Sequence, residues 1–277
     1  VKKNKFSVVS NPEFLREGEA IRDFVYPDRV VIGSNDKKSK MILKNLYAPL
    51  ISKGAKFIST NRRAAELIKY AANAFLATKI TFINEIANLC EKTNINVEDI
   101  SLGMGSDVRI GSRFLRAGPA YGGSCFPKDT KAIVTTADKF KINLSVIKSV
   151  IKSNSSRSKV LLKKVTEILN NKIKNKKICF LGVTFKANTD DMREAPAITI
   201  IEELLKLGAK IKAFDPEAMG TTKDIIGDKI EYSSGIFETL ENADALILVT
   251  EWNDFRNLDL KRAKECLKEP VIFDARN

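Results

Sequence analysis

"NRRAAELIKYAANAFLATKITFINEIANLCEKT", residues 61–93, decides how the rest of the chain is read. It sustains a 3.6-residue apolar period for about 30 residues, longer than most globular helices, as expected of a backbone between domains or subunits. The sequence on its two sides is different in kind. Up to about Thr60, the apolar runs "FSVVS", "RVVIG" and "KFIST" predict strands, and "KSKMILKNLYAPLI" between the last two predicts a helix. Beyond Thr93, a loop centred on "RIGSRFLRAGPAYGGSC" leads into a helical stretch from about Asn143 to Leu169. The pattern then alternates again through strand "KKICFLGV", helix "APAITIIEELLKLG" and strands "AKIKAF", "ADALILVT" and "PVIFDA". The expected fold class is α/β: a Rossmann-like doubly wound C-terminal domain over residues 171–277, a helical domain over 61–170, and an α/β section over 1–60.

Composition narrows the chemistry. With 277 residues, 44% of them hydrophobic, the chain can bury a substantial core. No apolar run approaches the ~20 residues that span a bilayer, and "VKKNKFSVVS" is too short in its apolar part for a signal peptide, which predicts no membrane partner and a cytoplasmic location. Cys90, Cys125, Cys179 and Cys266 lie far apart, which argues against a disulfide framework or a zinc ribbon. The balance of 47 Lys and Arg against 34 Asp and Glu gives +13. These lysines are dispersed rather than interleaved with aromatics, so an anionic small molecule is a better partner than nucleic acid. There is no histidine. Proton transfer therefore falls to carboxylates, lysine, cysteine or water, and His-ligated metals are excluded.

Within this background "YGGSCFPKDTKAI", residues 121–133, isolates one thiol. Pro127 suits the first turn of a helix, which places Cys125 at its N-terminus. The helix dipole and nearby Lys128 favour thiolate there, and Gly122 and Gly123 permit a sharp turn. Cys90, Cys179 and Cys266 sit in helical or strand patterns, as buried cysteines do. Lys69 and Asn73 share a helix face four residues apart on an alanine-rich surface; they are either an oxyanion-binding pair or a solvated lysine beside an amide. Asn11-Pro12 reads as a turn into a helix whose first turns carry Glu13 and Glu17. In "FLGVTFKANTDDMREAPA" a single Gly182 stands where a dinucleotide fold would show G-x-G-x-x-G, so Phe185, Lys186 and Arg193 are either ligand contacts at a strand end or an exposed charged loop.

The motifs "NPEFLREG", "KYAANAFLATKITFINE", "RIGSRFLRAGPAYGGSCFPKD" and "FLGVTFKANTDDMREAP" together resemble the UDP-glucose/GDP-mannose dehydrogenase family, in the family's order and over nearly the whole chain. Members open with a G-x-G-x-x-G Rossmann domain, and here only its tail is expected, so residues 1–60 read as the end of an incomplete NAD-binding domain and the chain as part of a longer enzyme. The resemblance implies a four-electron oxidation of the sugar C6 alcohol of a UDP-linked glucose to the carboxylate, with NAD as cofactor. It makes Cys125 the nucleophile that forms a thiohemiacetal and then a thioester. Lys69 and Asn73 then stabilise the oxyanion, and Glu13 and Asp129 serve the proton and water steps.

By the same resemblance the substrate contacts are Glu13, Phe14, Leu15, Arg16 and Glu17, Lys69 and Asn73, Arg109 from a partner subunit, the loop residues Phe114, Leu115, Arg116, Ala117, Gly118, Tyr121 and Gly122, and Phe185, Lys186 and Arg276. NAD is left with Glu17, Lys128 and Arg193. A UDP sugar and a second copy of the chain, in a homodimer built on the central helices, are the implied partners. GDP-mannose, UDP-N-acetylmannosamine and a non-catalytic nucleotide-sugar-binding role remain alternatives.

Overall fold

Val30, Val31 and Ile32 are the buried centre of the first strand, and around them forms the smaller of two compact units, Val1–Ala74 and Phe75–Asn277. The computed structural model describes residues 6–277. In the first unit, α1 (Ala20–Val25), β1 (Arg29–Gly33), α2 (Lys37–Leu46), α3 (Ala48–Ser52) and β2 (Lys56–Thr60) precede the start of α4 (Arg62–Thr93). Strands β1 and β2 pair in parallel, with Val31 opposite Ile58. Asp36 caps α2 by accepting from the amides of Lys38 and Ser39. Gly33 has to be glycine, because a Cβ there would lie 2.5 Å from Ala65 Cβ at the start of α4.

Three expectations are corrected in this unit. "FSVVS" is not a strand; only Ser10 bridges Gly33, through a reciprocal pair of backbone hydrogen bonds of 2.9 and 2.7 Å. Phe6 and Val8 stay exposed, with no sheet face to cover them. The segment from Glu13 to Glu17 is not helical, and α1 begins only at Ala20. The Glu13 carboxylate accepts from the Leu15 amide at 2.6 Å, a local turn that competes with a helix. Finally, the single helix expected over Lys38–Ile51 is divided into α2 and α3, with Pro49 in the first turn of α3.

The second unit contains the rest of α4, then α5 (Val97–Gly105), α6 (Phe126–Lys139) and α7 (Ser145–Ile168). An alternating series follows: β3 (Lys177–Leu181), α8 (Pro196–Lys206), β4 (Lys210–Phe214), α9 (Met219–Ile226), β5 (Glu231–Tyr232), α10 (Ile236–Leu240), β6 (Ala245–Leu248), α11 (Asn253–Arg256), α12 (Leu260–Cys266) and β7 (Ile272–Asp274). All strands of this sheet are parallel in the order β5-β4-β3-β6-β7, which is the 3-2-1-4-5 order of a doubly wound fold. Along β3, Ile178 and Phe180 face a core with Ile200, Ile201 and Leu204 of α8 and Leu161 and Val165 of α7. Cys179 and Leu181 face the opposite core with Leu246, Trp252 and Phe255. Period-2 alternation thus buries both faces, as a central parallel strand requires. Burial pushes the Cys179 thiol up to about 12, which keeps it inert. Among the described residues no helix is long and apolar enough to cross a membrane.

Candidate active site

In the first unit, Lys69 of α4 donates to Glu13 Oε1 at 3.0 Å, and its ammonium lies 5.5 Å from the centroid of the Phe14 ring. The Lys69 side chain is 15% exposed, so this cation is held in place rather than solvated. Asn73, one turn on, is buried at 6% exposure. The Arg29 guanidinium stacks on the same Phe14 ring, 4.0 Å from its centroid. Glu17 and Leu15 are half-buried. Arg16 is differently occupied: its amide and guanidinium grip Asp23 through bonds of 2.8, 2.9 and 2.6 Å, and the side-chain bond to Asp23 raises its pKa.

In the second unit, Cys125 is the N-cap residue of α6, half-buried, with Pro127 in the first turn as the sequence predicts. Its carbonyl receives the Asp129 amide at 2.9 Å, and its Sγ lies 3.6 Å from Ser124 Oγ. Asp129 is 1% exposed and pairs with Lys128 at 2.8 Å, so the lysine cation is shared with its neighbour and is not dedicated to the thiol. Arg193 is forked onto Asp191 through its amide and guanidinium, each bond 2.9 Å.

The glycines of the cysteine loop are there for close packing. A Cβ on Gly122 would stand 2.5 Å from the Glu194 carbonyl oxygen, and one on Gly123, at φ +76°, would meet the Phe185 ring at 2.7 Å. Gly118 sits against Arg276, whose Nη1 would be 3.0 Å from a Cβ. The fold therefore brings together Gly118, Gly122, Phe185 and Arg276, four of the residues expected to contact substrate. Arg276 is tied to the Val249 and Phe185 carbonyls at 2.7 and 2.9 Å and to Glu251 at 2.5 Å. Lys186 lies over Phe185, 5.7 Å from its centroid.

Other members of the expected set are arranged less simply. Leu115 and Ala117 point into a core with Ile83, Ala87 and Cys90, so only their backbone can meet a ligand, and Ser101 already donates to the Leu115 carbonyl at 2.6 Å. Tyr121 packs with Ala77 and Val150, and burial raises its pKa. Phe114, at φ +66°, and Glu194, at φ +52°, are non-glycine residues in the left-handed region, where strain accompanies functional loops. Arg116 is exposed. Arg109 projects 86% exposed from its loop and binds Asp107 at 2.6 Å.

Sequence reasoning missed Asp215 at the end of β4. A dinucleotide fold would use an acid there for ribose. Here one oxygen accepts from the Val183 amide and Trp252 Nε1, at 2.9 and 3.2 Å, and the other from the Glu217 and Ala218 amides. Gly182 meanwhile packs against Thr250. The second α/β unit thus spends its dinucleotide-type positions on its own turns. Arg193 and Lys128, 65% and 67% exposed, retain the reach to touch a pyrophosphate but do not form a cradle. Among the described residues, no cluster of three His, Cys, Asp or Glu side chains could hold a metal.

Residues 1–51, 63–156 and 179–277 match, respectively, the NAD binding domain, the central domain and the UDP binding domain of the UDP-glucose/GDP-mannose dehydrogenase family. The chain is 48% identical over 273 residues to a UDP-glucose 6-dehydrogenase of Rickettsia typhi, covering 98% of this chain and 63% of that protein. It is also 48% identical to a UDP-glucose 6-dehydrogenase of Rhizobium meliloti, covering 98% and 62%. Its fold matches a UDP-glucose dehydrogenase structure from Pyrobaculum islandicum with a TM-score of 0.91 at 35% identity, over 99% of this chain and 61% of that one. The chain therefore spans about three-fifths of the length of these relatives.

Proposed function

The chain belongs to the UDP-glucose/GDP-mannose dehydrogenase family, and from that premise we propose that it carries the covalent and sugar-binding machinery of an NAD-dependent UDP-glucose 6-dehydrogenase. The observation that carries this reading is the placement of Cys125 at the N-cap of α6, at the end of a loop packed onto Phe185 and Arg276. Residues 1–60, 61–170 and 171–277 act in this reading as the end of the NAD-binding domain, the central domain and the UDP-binding domain.

Two NAD+ molecules, bound in turn, would each take up one of the two hydrides that the four-electron change from C6 alcohol to carboxylate releases; Glu17, Lys128 and Arg193 are the residues here that would contact them. Cys125 supplies the covalent half. Its thiolate bonds to C6 of the aldehyde while the carbonyl π pair moves to oxygen, giving a thiohemiacetal. The Lys69 ammonium and Asn73 amide donate to that oxygen. At the thioester stage water adds at C6 and the C–S bond breaks, returning the thiolate and the uronate. Asp129 and Glu13 hold the protons exchanged with water.

The loop Phe114–Gly122, with Phe185, Lys186 and Arg276, forms the wall for the nucleotide diphosphate, and the segment Glu13–Glu17 meets the sugar. Arg109, exposed on its loop, completes the site of a second copy. A homodimer follows from this role, supported by Phe75, Phe82 and Leu89, which line the outer side of α4 at seven-residue intervals and stay exposed. Four unpaired cysteines accord with a cytoplasmic setting.

Calorimetric titration tests the reading. UDP-glucose is expected to bind this chain more tightly than GDP-mannose or UDP-N-acetylmannosamine. Absence of binding by any of the three, or steeply salt-dependent binding to random DNA instead, would remove it.

A further inference from the structure

Gly118 and Tyr121 each have both backbone polar groups claimed by side chains. The Gly118 amide donates to Asn84 Oδ1 of α4 at 2.7 Å, and Arg157 Nε of α7 donates to the Gly118 carbonyl at 3.1 Å. Asn154 of α7 treats Tyr121 as a strand partner would: its Oδ1 accepts from the amide at 2.9 Å and its Nδ2 donates to the carbonyl at 3.0 Å. Arg157 Nη1 donates in addition to the Asn84 carbonyl at 3.2 Å and to Asn88 Oδ1 at 2.6 Å.

Arg157 is 5% exposed, and among the described residues no carboxylate stands within ion-pair distance of it. Burial accordingly lowers its pKa, opposed by the more distant Glu91. A buried cation without a counter-ion is costly, and an apolar side chain would fill the same space at less cost. What the guanidinium supplies in return is geometric: a rigid fork that fixes one loop carbonyl relative to two groups on α4. Four residues after Tyr121 comes Cys125, and between them the Gly123 amide is bonded to the Arg193 carbonyl at 2.8 Å. Held at Gly118, Tyr121 and Gly123, the loop has little freedom left to move the thiol.

We propose that Asn84, Asn154 and Arg157 are positioning residues that hold the Gly118–Gly123 loop and thereby set how Cys125 and the sugar-facing backbone are presented. The thiol part rests on this geometry alone; the ligand part rests on the UDP-sugar reading above.

The test uses residues 1–277 with Arg157→Met, which keeps an unbranched apolar stem and removes the donors, and with Asn154→Asp, which keeps the acceptor for the Tyr121 amide and removes the donor to its carbonyl. Asn84→Asp preserves the acceptor for Gly118 and serves as the conservative variant. Alkylation by iodoacetamide is followed at each cysteine by peptide mass spectrometry, beside calorimetry with UDP-glucose and thermal melting. Loss of one hydrogen bond to the loop backbone corresponds to about a tenfold change. Cys125 alkylation is therefore expected to rise about tenfold in Arg157→Met and Asn154→Asp, with Cys90, Cys179 and Cys266 unchanged and Asn84→Asp close to the parent. UDP-glucose affinity is expected to fall by a similar factor.

Cys125 rates within about twofold of the parent in the folded variants overturn the proposal, as does equal acceleration at all four cysteines, which marks general loosening. Should Arg157→Met fail to fold, Asn154→Asp decides alone. If the parent binds no UDP-glucose, the functional reading fails while the alkylation result still decides the positioning.

Discussion

The amide of Gly123 donates to the carbonyl of Arg193 at 2.8 Å, joining the loop that ends in Cys125 to the turn that follows β3. The neighbouring Gly122 lies so near the Glu194 carbonyl that a side chain has no room. Lys131 on α6 reaches Glu194 itself at 2.8 Å, so the helix that carries the thiol at its head is anchored to the same turn. The doubly wound half of the protein thus fixes where the cysteine stands, although the cysteine belongs to the helical half.

Alanine at position 123 tests that seating. It adds a Cβ against the Phe185 ring and forces φ +76° on a residue that disfavours it. Urea unfolding of Gly123→Ala is expected to show a lower midpoint at an unchanged slope, a loss of about 1–3 kcal/mol. UDP-glucose affinity should fall with it. A variant as stable as the parent would mean that the loop does not rest on Phe185.

Cys125→Ala separates binding from chemistry. The side chain is small and half-buried, so the loop should survive its loss and UDP-glucose should bind within about twofold of the parent. In the NAD-dependent assay of an enzyme that includes these residues, uronate formation should drop by at least about a thousandfold, the scale seen when a nucleophile is removed. Uronate made at near the parental rate would exclude a thioester.

Much of this arrangement is legible in the order of the residues, for reasons that differ by element. Strands β3 and β6 announce themselves because a parallel strand buried on both faces is apolar at nearly every position, whereas β4 alternates Lys210 and Lys212 with buried Ile211 and Ala213. Pro127 marks the start of α6 because its ring suits a first turn. "FSVVS" misleads: a β-prone run says nothing about whether a neighbouring strand is there to pair with it. "PEFLRE" misleads because the Glu13 carboxylate accepts from the Leu15 amide in a local turn instead of starting a helix. The clamp on the cysteine loop is invisible in sequence, since Asn154 and Arg157 act on residues 33 and 39 positions away and no period links a loop to a distant helix face.

The outer face of α4 makes a claim about assembly. Phe75, Phe82 and Leu89 are 65%, 44% and 59% exposed, a stripe that a monomer would leave in water. Sedimentation velocity at micromolar concentration is expected to give a dimer. The double variant Phe82→Glu with Leu89→Glu should sediment as a monomer with an unchanged far-ultraviolet circular dichroism spectrum. A parent that is already monomeric and binds UDP-glucose fully would refute the shared site.

Acid stability should be sensitive to Asp244, which accepts from Lys176 Nζ at 2.9 Å and the Lys177 amide at 2.8 Å. Burial works to raise this carboxyl's pKa, yet the bonds from Lys177 and Lys176 outweigh it and the net direction is down. A folded value below the unfolded one means that the stabilisation is complete above the unfolded value of about 4 and is lost as pH falls through the folded value. Asp244→Asn is therefore expected to melt about 2–6 °C lower at pH 7 and to show a shallower loss of stability below pH ~4 than the parent. Equal slopes in acid would place the linkage elsewhere.

The last prediction concerns the cofactor. The sequence of residues 1–277 contains no G-x-G-x-x-G turn, and the turn after β3 has only Gly182, which packs on Thr250. The acid at the position where a dinucleotide fold meets a ribose, Asp215, is buried and accepts hydrogen bonds on both oxygens from its own unit. Lys128 and Arg193 are exposed but each is paired with an aspartate, so they can touch a pyrophosphate without orienting a nicotinamide. A polypeptide limited to these 277 residues is therefore expected to bind UDP-glucose by calorimetry while giving no heat with NAD+ and no absorbance from NADH. Arg193→Ala should leave the UDP-glucose result unchanged, because its partner Asp191 is not a sugar contact. Tight NAD+ binding by this polypeptide would mean that the second unit opens a dinucleotide site its turns do not display, and the assignment of the two α/β regions would have to be exchanged.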